Sequence, residues 1–393
     1  MTWLTISLLW YFKLVVLGIV FLPITIAFFG DRLVDKGYAF SKVVGILLCS
    51  FTLFVLGVFK IAPFTVISAF TVFGGFAIIN MIVAKKVIPK GTITARDVRI
   101  WFFIELLFLC SFLFWVVVRG QEPSIRGLEK YMDFGFINAI LRSTYFPPKD
   151  IWLVGHFINY YYFGHLSAAT LTLLFQVTSD ISYNLILSTL FAMGITQTWS
   201  LVATLLTSMT GRVKAYFGGL LGAFLLNLGG NLHTIYLFTK GYGTDTPIPF
   251  WKIWSVFSPS TYWYPNATRF IPFTIHEFPS YSYVVADLHG HVFDIPFVLF
   301  TIACMLCILK TVPSKHTAAF EKEKKFLPML WSFLSQHHIW SALLLGSMVG
   351  IHYMTNAFDG IVYGALGWCF YFSLQFLGNC AYNHGRCSLF PHL

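Results

Sequence analysis

Residues 126–165, RGLEKYMDFGFINAILRSTYFPPKDIWLVGHFINYYYFGH, concentrate charge and polar aromatics in a chain that is otherwise largely hydrocarbon. The run before them, IWFFIELLFLCSFLFWVVV at 100–118, and the run at 162–178 that overlaps their end are each long enough to cross a lipid core as helix, for which about 17–25 residues suffice. Working outward, comparable runs lie at 4–29, 43–59, 61–84, 184–209, 292–312 and 359–378, with shorter ones at 215–229 and 339–354. The predicted fold is all-α, a polytopic membrane helix bundle of about nine or ten crossings, because lipid leaves the backbone no hydrogen-bonding partner outside the helix. The expected location is the cell membrane, multi-pass.

Composition agrees. Of 393 residues, 57% are hydrophobic and only 11% charged, against roughly a quarter charged in a soluble domain. The net charge of +10 is what cytoplasmic Lys and Arg supply in a membrane chain, and no basic stretch is interleaved with exposed aromatics, so nucleic acid is not an expected partner. Cys49, Cys110, Cys304, Cys307 and Cys369 lie in apolar runs and Cys380 and Cys387 in the tail, so no disulfide framework is expected in the long loops. Cys304 and Cys307 form a CxxC inside a lipid-length run, which reads as packing. The first apolar run lacks a basic start and a small-residue cleavage site, so it reads as a span and not a signal peptide.

Lys85, Lys86, Lys90, Arg96 and Arg99 crowd one connector, and Lys315, Lys322, Lys324 and Lys325 another; both are expected to be cytoplasmic. Asp31, Arg32, Lys36 and Lys42 after the first span agree, which places loops 119–161 and 229–291 outside the cytoplasm. Two loops on one side need an even number of crossings between them, whereas three runs lie there. Either 215–229 is re-entrant or 184–209 is broken near Gly194; Arg212 and Lys214 favour a cytoplasmic turn between these two runs. The organisation read from this pattern is an N-terminal set of helices with its connector (1–99), a module with both loops (100–378) and an irregular, truncated-looking tail (379–393).

In the first loop Glu129 and Asp133 stand four apart, on one face of a helix, where two carboxylates supply a general base and a partner. The plainer reading is an interfacial helix with Glu129, Lys130 and Asp133 facing water. Downstream, Asn159, Tyr160, Tyr161, Tyr162 and His165 re-enter the membrane; tyrosines alone would make an aromatic belt, whereas the added Asn and His suit a sugar or headgroup. In the second loop, IHEFPSYSYVVADLHGHVFDIPF carries His276, Glu277, Asp287, His289, His291 and Asp294. Asp287 and His291 share a helical face, and in extended geometry Asp287, His289 and His291 point one way; either arrangement suits a divalent cation, the alternative being hydrogen-bonded interfacial polarity. Within the spans Glu105, Gln197 and Asp359 cost most, and are candidates for a pathway or for pairing with neighbouring spans.

At EKYMDFGFINAILRSTYFPP followed by INYYYFGH, and again at FPSYSYVVADLHGHV, the sequence resembles the YYY-motif family of multi-spanning membrane proteins, over roughly residues 40–375. That family was long classed only as a domain of unknown function and is similar in layout to the GT-C superfamily of polyprenyl-phosphate-sugar-dependent glycosyltransferases. MTNAFDG at 354–360 departs from it, with Phe358 where a Trp is expected before the Asp. The resemblance implies a GT-C-like glycosyltransferase with membrane lipids, a polyprenyl-phosphate sugar donor and an acceptor as its partners. By position the catalytic base falls to Asp133, with Glu129 second. It further implies that Arg126, Lys130 or Arg142 meets the donor phosphate, and that Asp287, His289 and His291 hold a divalent cation, Mg or Mn, or the pyranose. A glycolipid transporter or flippase is the alternative, although no internal repeat relates the two halves. A metal-dependent hydrolase centred on DLHGH is a third possibility.

Overall fold

Each apolar run folds as a helix, in the order its sequence dictates, because only the helix satisfies every backbone N–H and C=O within a segment that has no water to turn to. The computed structural model describes residues 2–89, 92–230, 249–258, 260, 268, 271, 273–311 and 337–384. Helix α1 spans Trp3–Phe29, α2 Ser41–Val58, α3 Val66–Val87, α4 Ala95–Gly120, α5 Lys130–Arg142, α6 Phe163–Phe175, α7 Ser179–Thr210, α8 Arg212–Asn227, α9 Pro279–Val285, α10 Gly290–Thr311, α11 His337–Thr355 and α12 Ala357–His384. Among the described residues no named strand occurs, and six helices (α1, α2, α3, α4, α7 and α10) are long and apolar enough to cross a membrane. The chain is an all-helical, multi-pass membrane protein. Lys90, Lys315, Lys322, Lys324, Lys325 and Cys387, like much of loop 229–291 and the tail beyond His384, lie outside the described residues.

Helix starts follow the sequence closely. Thr65 caps α3 by accepting from the Ser68 N–H, and Thr94 with Asp97 forms a reciprocal capping box at the start of α4. At that same end the buried carboxylate of Asp35 accepts from the backbone of Gly37 and Ala39 and from Ser200 Oγ, while Lys36 pairs with Asp31 and Asp97. Glu105 lies at 2.6 Å from Lys42 Nζ and accepts from Tyr38 Oη at 2.8 Å, so this intramembrane carboxylate pairs with a neighbouring span. Cys304 and Cys307 are both buried in α10 and unbridged. Gln197 is buried in the middle of α7.

The three runs between the two long loops fold as helices of very different length. Helix α7 is unbroken through Gly194, and α8 packs back along it so closely that a Cβ at Gly219 would stand 2.8 Å from the Trp199 ring. The short member is α6. Its 13 residues rise about 20 Å, too little for a ~30 Å core. Near its start His165 meets Asp133 of α5, and just past its end Ser179 Oγ bonds Asn138 Oδ1 of the same α5. Both ends of α6 therefore stay with α5, while α8, itself only 16 residues long, packs back along α7.

Candidate functional site

Helix α5 buries Lys130, Asp133, Ile137 and Ile140, a stripe at helical spacing whose first two members are charged. This differs from a water-facing helix: of the three polar residues at its start only Glu129 is exposed. Two buried charges demand partners, and both have them. Lys130 Nζ lies 3.2 Å from Asp287 Oδ1, and Asp133 Oδ1 lies 2.9 Å from His165 Nε2. Asp133 Oδ2 and His165 Nδ1 are buried without a hydrogen-bond partner.

From the rim of α5, Glu129 Oε2 reaches His289 Nε2 at 3.3 Å. The same ring nitrogen is 2.9 Å from Tyr160 Oη and 3.4 Å from Tyr161 Oη, and the two tyrosine hydroxyls bond each other. His289 Nδ1 lies 3.1 Å from His291 Nδ1, and His291 Nε2 bonds Ser282 Oγ at 3.1 Å with Glu277 Oε2 at 3.2 Å. Glu129, Lys130, Asp133, Tyr160, Tyr161, His165, Glu277, Asp287, His289 and His291 thus gather in one place, although they come from two loops and three helices.

Two devices hold the DLHGH turn there. The Tyr183 hydroxyl, on the first turns of α7, accepts from the Leu288 N–H at 3.1 Å and donates to the Ala286 carbonyl at 3.2 Å. Gly290 has no room for a side chain: a Cβ would stand 2.1 Å from the Thr355 carbonyl oxygen and 2.7 Å from the Tyr161 ring. At Gly290 the YYY segment, DLHGH and the α11–α12 junction therefore meet.

Burial pushes the Asp287 carboxyl up to about 6, against the opposing pull of the Lys130 ammonium. Desolvation also raises the Tyr160 phenol, with the Tyr161 hydrogen bond and the Glu129 and Asp133 charges adding to it, and raises Tyr162 to about 12. These phenols keep their protons at neutral pH and act as hydrogen-bond donors.

Other expected residues stand apart from the network. Asn159 and Tyr162 line a cleft of about 440 Å³ together with Phe54, Tyr353 and Ala357, on the open side of the tyrosine wall. Arg126 is exposed at a second cleft, and Arg142 is exposed at the far end of α5, roughly 14 Å along the axis from Asp133. The backbone N–H of His276 donates to the Thr268 carbonyl. Asp287 turns to Lys130 while His289 and His291 face each other, so these three do not present donor atoms to a common point; among the described residues no group of three or more ligand-type side chains is arranged for a metal.

One pairing lies beyond the expected set, that of Asp294 with His352. One turn below His291, the buried Asp294 carboxylate receives His352 Nδ1 at 2.8 and 2.9 Å, and His352 Nε2 lies 2.9 Å from Thr301 Oγ1. Asp359, on the next helix, accepts from Asn356 Nδ2 at 2.8 Å. The signal available for it was His352 itself, an ionisable residue inside the apolar run 339–354.

A family of uncharacterized membrane proteins, DUF2298, matches residues 45–383. The chain belongs to this family. The match runs from α2 through nearly all of α12 and so takes in every motif that builds the DUF2298 site. No curated protein and no solved structure matches the chain.

Proposed function

We propose that this chain is a GT-C-like glycosyltransferase of the YYY-motif type, moving a sugar from a polyprenyl-phosphate donor to an acceptor hydroxyl on the extracytoplasmic face. The observation that carries the reading is the meeting of EKYMDFG, YYYFGH and DLHGH in one polar network with an open carboxylate at its rim. Transfer requires the acceptor O–H to lose its proton as its oxygen bonds the anomeric carbon, while the carbon–phosphate oxygen bond breaks and its electron pair leaves on the lipid phosphate.

A base must reach the proton it takes. Glu129 is exposed and adjoins His289, whereas Asp133 is enclosed against His165. The reading therefore gives proton abstraction to Glu129 and makes Asp133 the positioning carboxylate that fixes α5 against α6. Tyr160, Tyr161 and Asn159 offer rings and polar edges to a pyranose. Lys130, the residue after Glu129, and Arg126 are the cations assigned to the departing phosphate. For a divalent cation, Mg or Mn, Asp287, His289 and His291 are the residues that would hold it, although as placed they do not converge on one point.

Reconstituted protein incubated with a panel of polyprenyl-phosphate sugars should release polyprenyl phosphate. Glu129→Gln should slow that release by about 10²–10⁴-fold. Release unchanged in Glu129→Gln would remove the base assignment. Passage of intact lipid-linked sugar across vesicles with no covalent product would replace the enzyme by the transporter reading, and hydrolysis abolished by chelation would favour a metal-dependent hydrolase.

A further inference from the structure

Between α5 and α6 the run DIWLVGHF, residues 150–157, forms a small closed loop that presents its apolar side chains outward. Lys149 and Phe157 form an antiparallel bridge, the Asp150 N–H donates to the His156 carbonyl at 2.9 Å, and the Ile158 N–H donates to the Pro148 carbonyl at 3.0 Å. Inside the turn the Asp150 carboxylate accepts from the Trp152 and Leu153 N–H groups at 2.7 and 2.9 Å, and Gly155 (φ 88°) reverses the chain. The loop is thus closed by its own hydrogen bonds, and yet Trp152 is 67% and Val154 92% exposed, with Leu153 and Phe157 more than half exposed beside them. So apolar a tip, held open by its own backbone, calls for a partner surface.

The foot of the loop sits where one span ends and the next begins. In the turn between α2 and α3 the Phe64 N–H donates to the Thr144 carbonyl at 2.8 Å, and the Phe146 N–H donates to the Gly57 carbonyl at 3.4 Å. The Phe146 ring lies where a side chain at Gly57 would go and meets Phe64 edge-on at 5.3 Å. Because α2 stops at Val58 and α3 starts at Val66, both being long and apolar enough to span, the loop leaves the protein at the level of one membrane surface. Ile151 Cδ1 takes the space that a Cβ at Gly135 would need, which fixes the loop on the outer face of α5. Lys60 in the α2–α3 turn, Arg142 at the end of α5 and Lys149 at the bridge are exposed around this foot, and among the described residues none has a carboxylate within ion-pair distance. They stand against the carboxylate of Asp150, which is turned into the loop.

We infer that this loop is an interfacial anchor: Trp152, Leu153 and Val154 enter the boundary between headgroups and acyl chains in the leaflet where α2 ends and α3 begins, and Lys60, Arg142 and Lys149 meet its anionic headgroups. An apolar tip carrying an indole, with basic side chains at its foot, matches the order in which a lipid surface presents hydrocarbon, interface and phosphate. The level of the foot, set by the span ends, selects lipid over a partner in solution. The anchor rests on no assumption about the reaction at the site. It nevertheless bears on that site, because α5 carries Glu129 at its start and Asp133 on its buried face, and Ile151 holds the same helix from outside at Gly135. The height of the Glu129 rim is thereby tied to the leaflet.

The test is photocrosslinking of the full chain in nanodiscs of phosphatidylcholine and phosphatidylglycerol in equal amounts, with benzoylphenylalanine in place of Val154 and, separately, in place of Phe102. Phe102 lies in the span α4 and is 71% exposed, so its probe reports that the lipids react. Val154 is exposed at the tip, and its replacement removes little packing. The expected product at position 154 is a lipid adduct, identified by mass, in which phosphatidylglycerol outnumbers phosphatidylcholine. Lys60→Gln, Arg142→Gln and Lys149→Gln should each lower that ratio by up to about fivefold, the attraction of one cation to an anionic surface. Absence of a lipid adduct at position 154 while the probe at position 102 gives one, or an adduct joining two copies of the chain, would overturn the anchor. Equal yields from the two lipids, or a ratio unmoved by the three substitutions together, would overturn the anionic surface as its partner.

Discussion

Replacing His165 by Phe strands Asp133, and the structure sets the cost. The two side chains are 1% and 0% exposed, joined by a single 2.9 Å contact, and the second carboxylate oxygen has no other partner. Breaking a buried pair by removing one member costs about 3–5 kcal/mol, because the survivor keeps its desolvation penalty. Packing adds little to that figure: His165 lies edge-on to Phe136 and Phe293 at 5.4 and 5.5 Å, an apolar pocket that accepts a phenyl ring. The double variant Asp133→Leu, His165→Phe removes both polar partners from the same pocket and should be within about 1 kcal/mol of the parent or more stable. Unfolding in detergent followed by tryptophan fluorescence measures both stabilities, and release of polyprenyl phosphate measures transfer. A staple with no functional role would give a stable double variant that transfers sugar normally. The positioning role requires a stable double variant with transfer still depressed, through KM or kcat, and restored by the parent pair alone. Full stability of the single variant His165→Phe would refute the reasoning at its root, since the carboxylate would then need no partner.

Three further outcomes follow from particular contacts. Burial raises the Asp287 carboxyl from 3.8 to about 6, so its neutral form is the one folding favours; the stabilisation is full below 3.8 and is lost as pH rises through about 6, and Asp287→Asn should flatten the fall in thermal stability across that window. Gly290→Ala would place a Cβ 2.1 Å from the Thr355 carbonyl and 2.7 Å from Tyr161, so it should cost about 1–3 kcal/mol in unfolding experiments and lower transfer by displacing Tyr161 from His289. Glu105→Ala strands Lys42, whose side chain is 5% exposed, and should cost about 3–5 kcal/mol; adding Lys42→Met should recover it, with transfer per folded molecule unchanged throughout.

The bundle was legible because lipid narrows the options: a run such as 100–118 can only be helix, and each apolar run became one. The topology was less so, since 162–178 has the composition of a span and yet folds as α6, ended at Gln176 in a left-handed conformation (φ 51°) before α7 restarts at Ser179. Composition measures how greasy a segment is, and not where the chain reverses. The same limit explains α5. A spacing of four tells that Glu129 and Asp133 share a side of the helix without telling which way it faces. That depended on His165 and on Asp287, far along the chain, which turned Lys130 and Asp133 inward and left Glu129 at the rim. Asp294 and His352, 58 positions apart, are the extreme case: each alone reads as a costly oddity, and only their 2.8 Å contact makes sense of both. In a chain where nearly every position is apolar, the polar residues are few enough to be noticed at once, but their roles are set pairwise. Glu105, inside a span, and Asp133, in a loop, each left two roles open in the sequence; Lys42 makes the first a brace between spans, and His165, leaving one carboxylate oxygen unpartnered, sets the second within the candidate site.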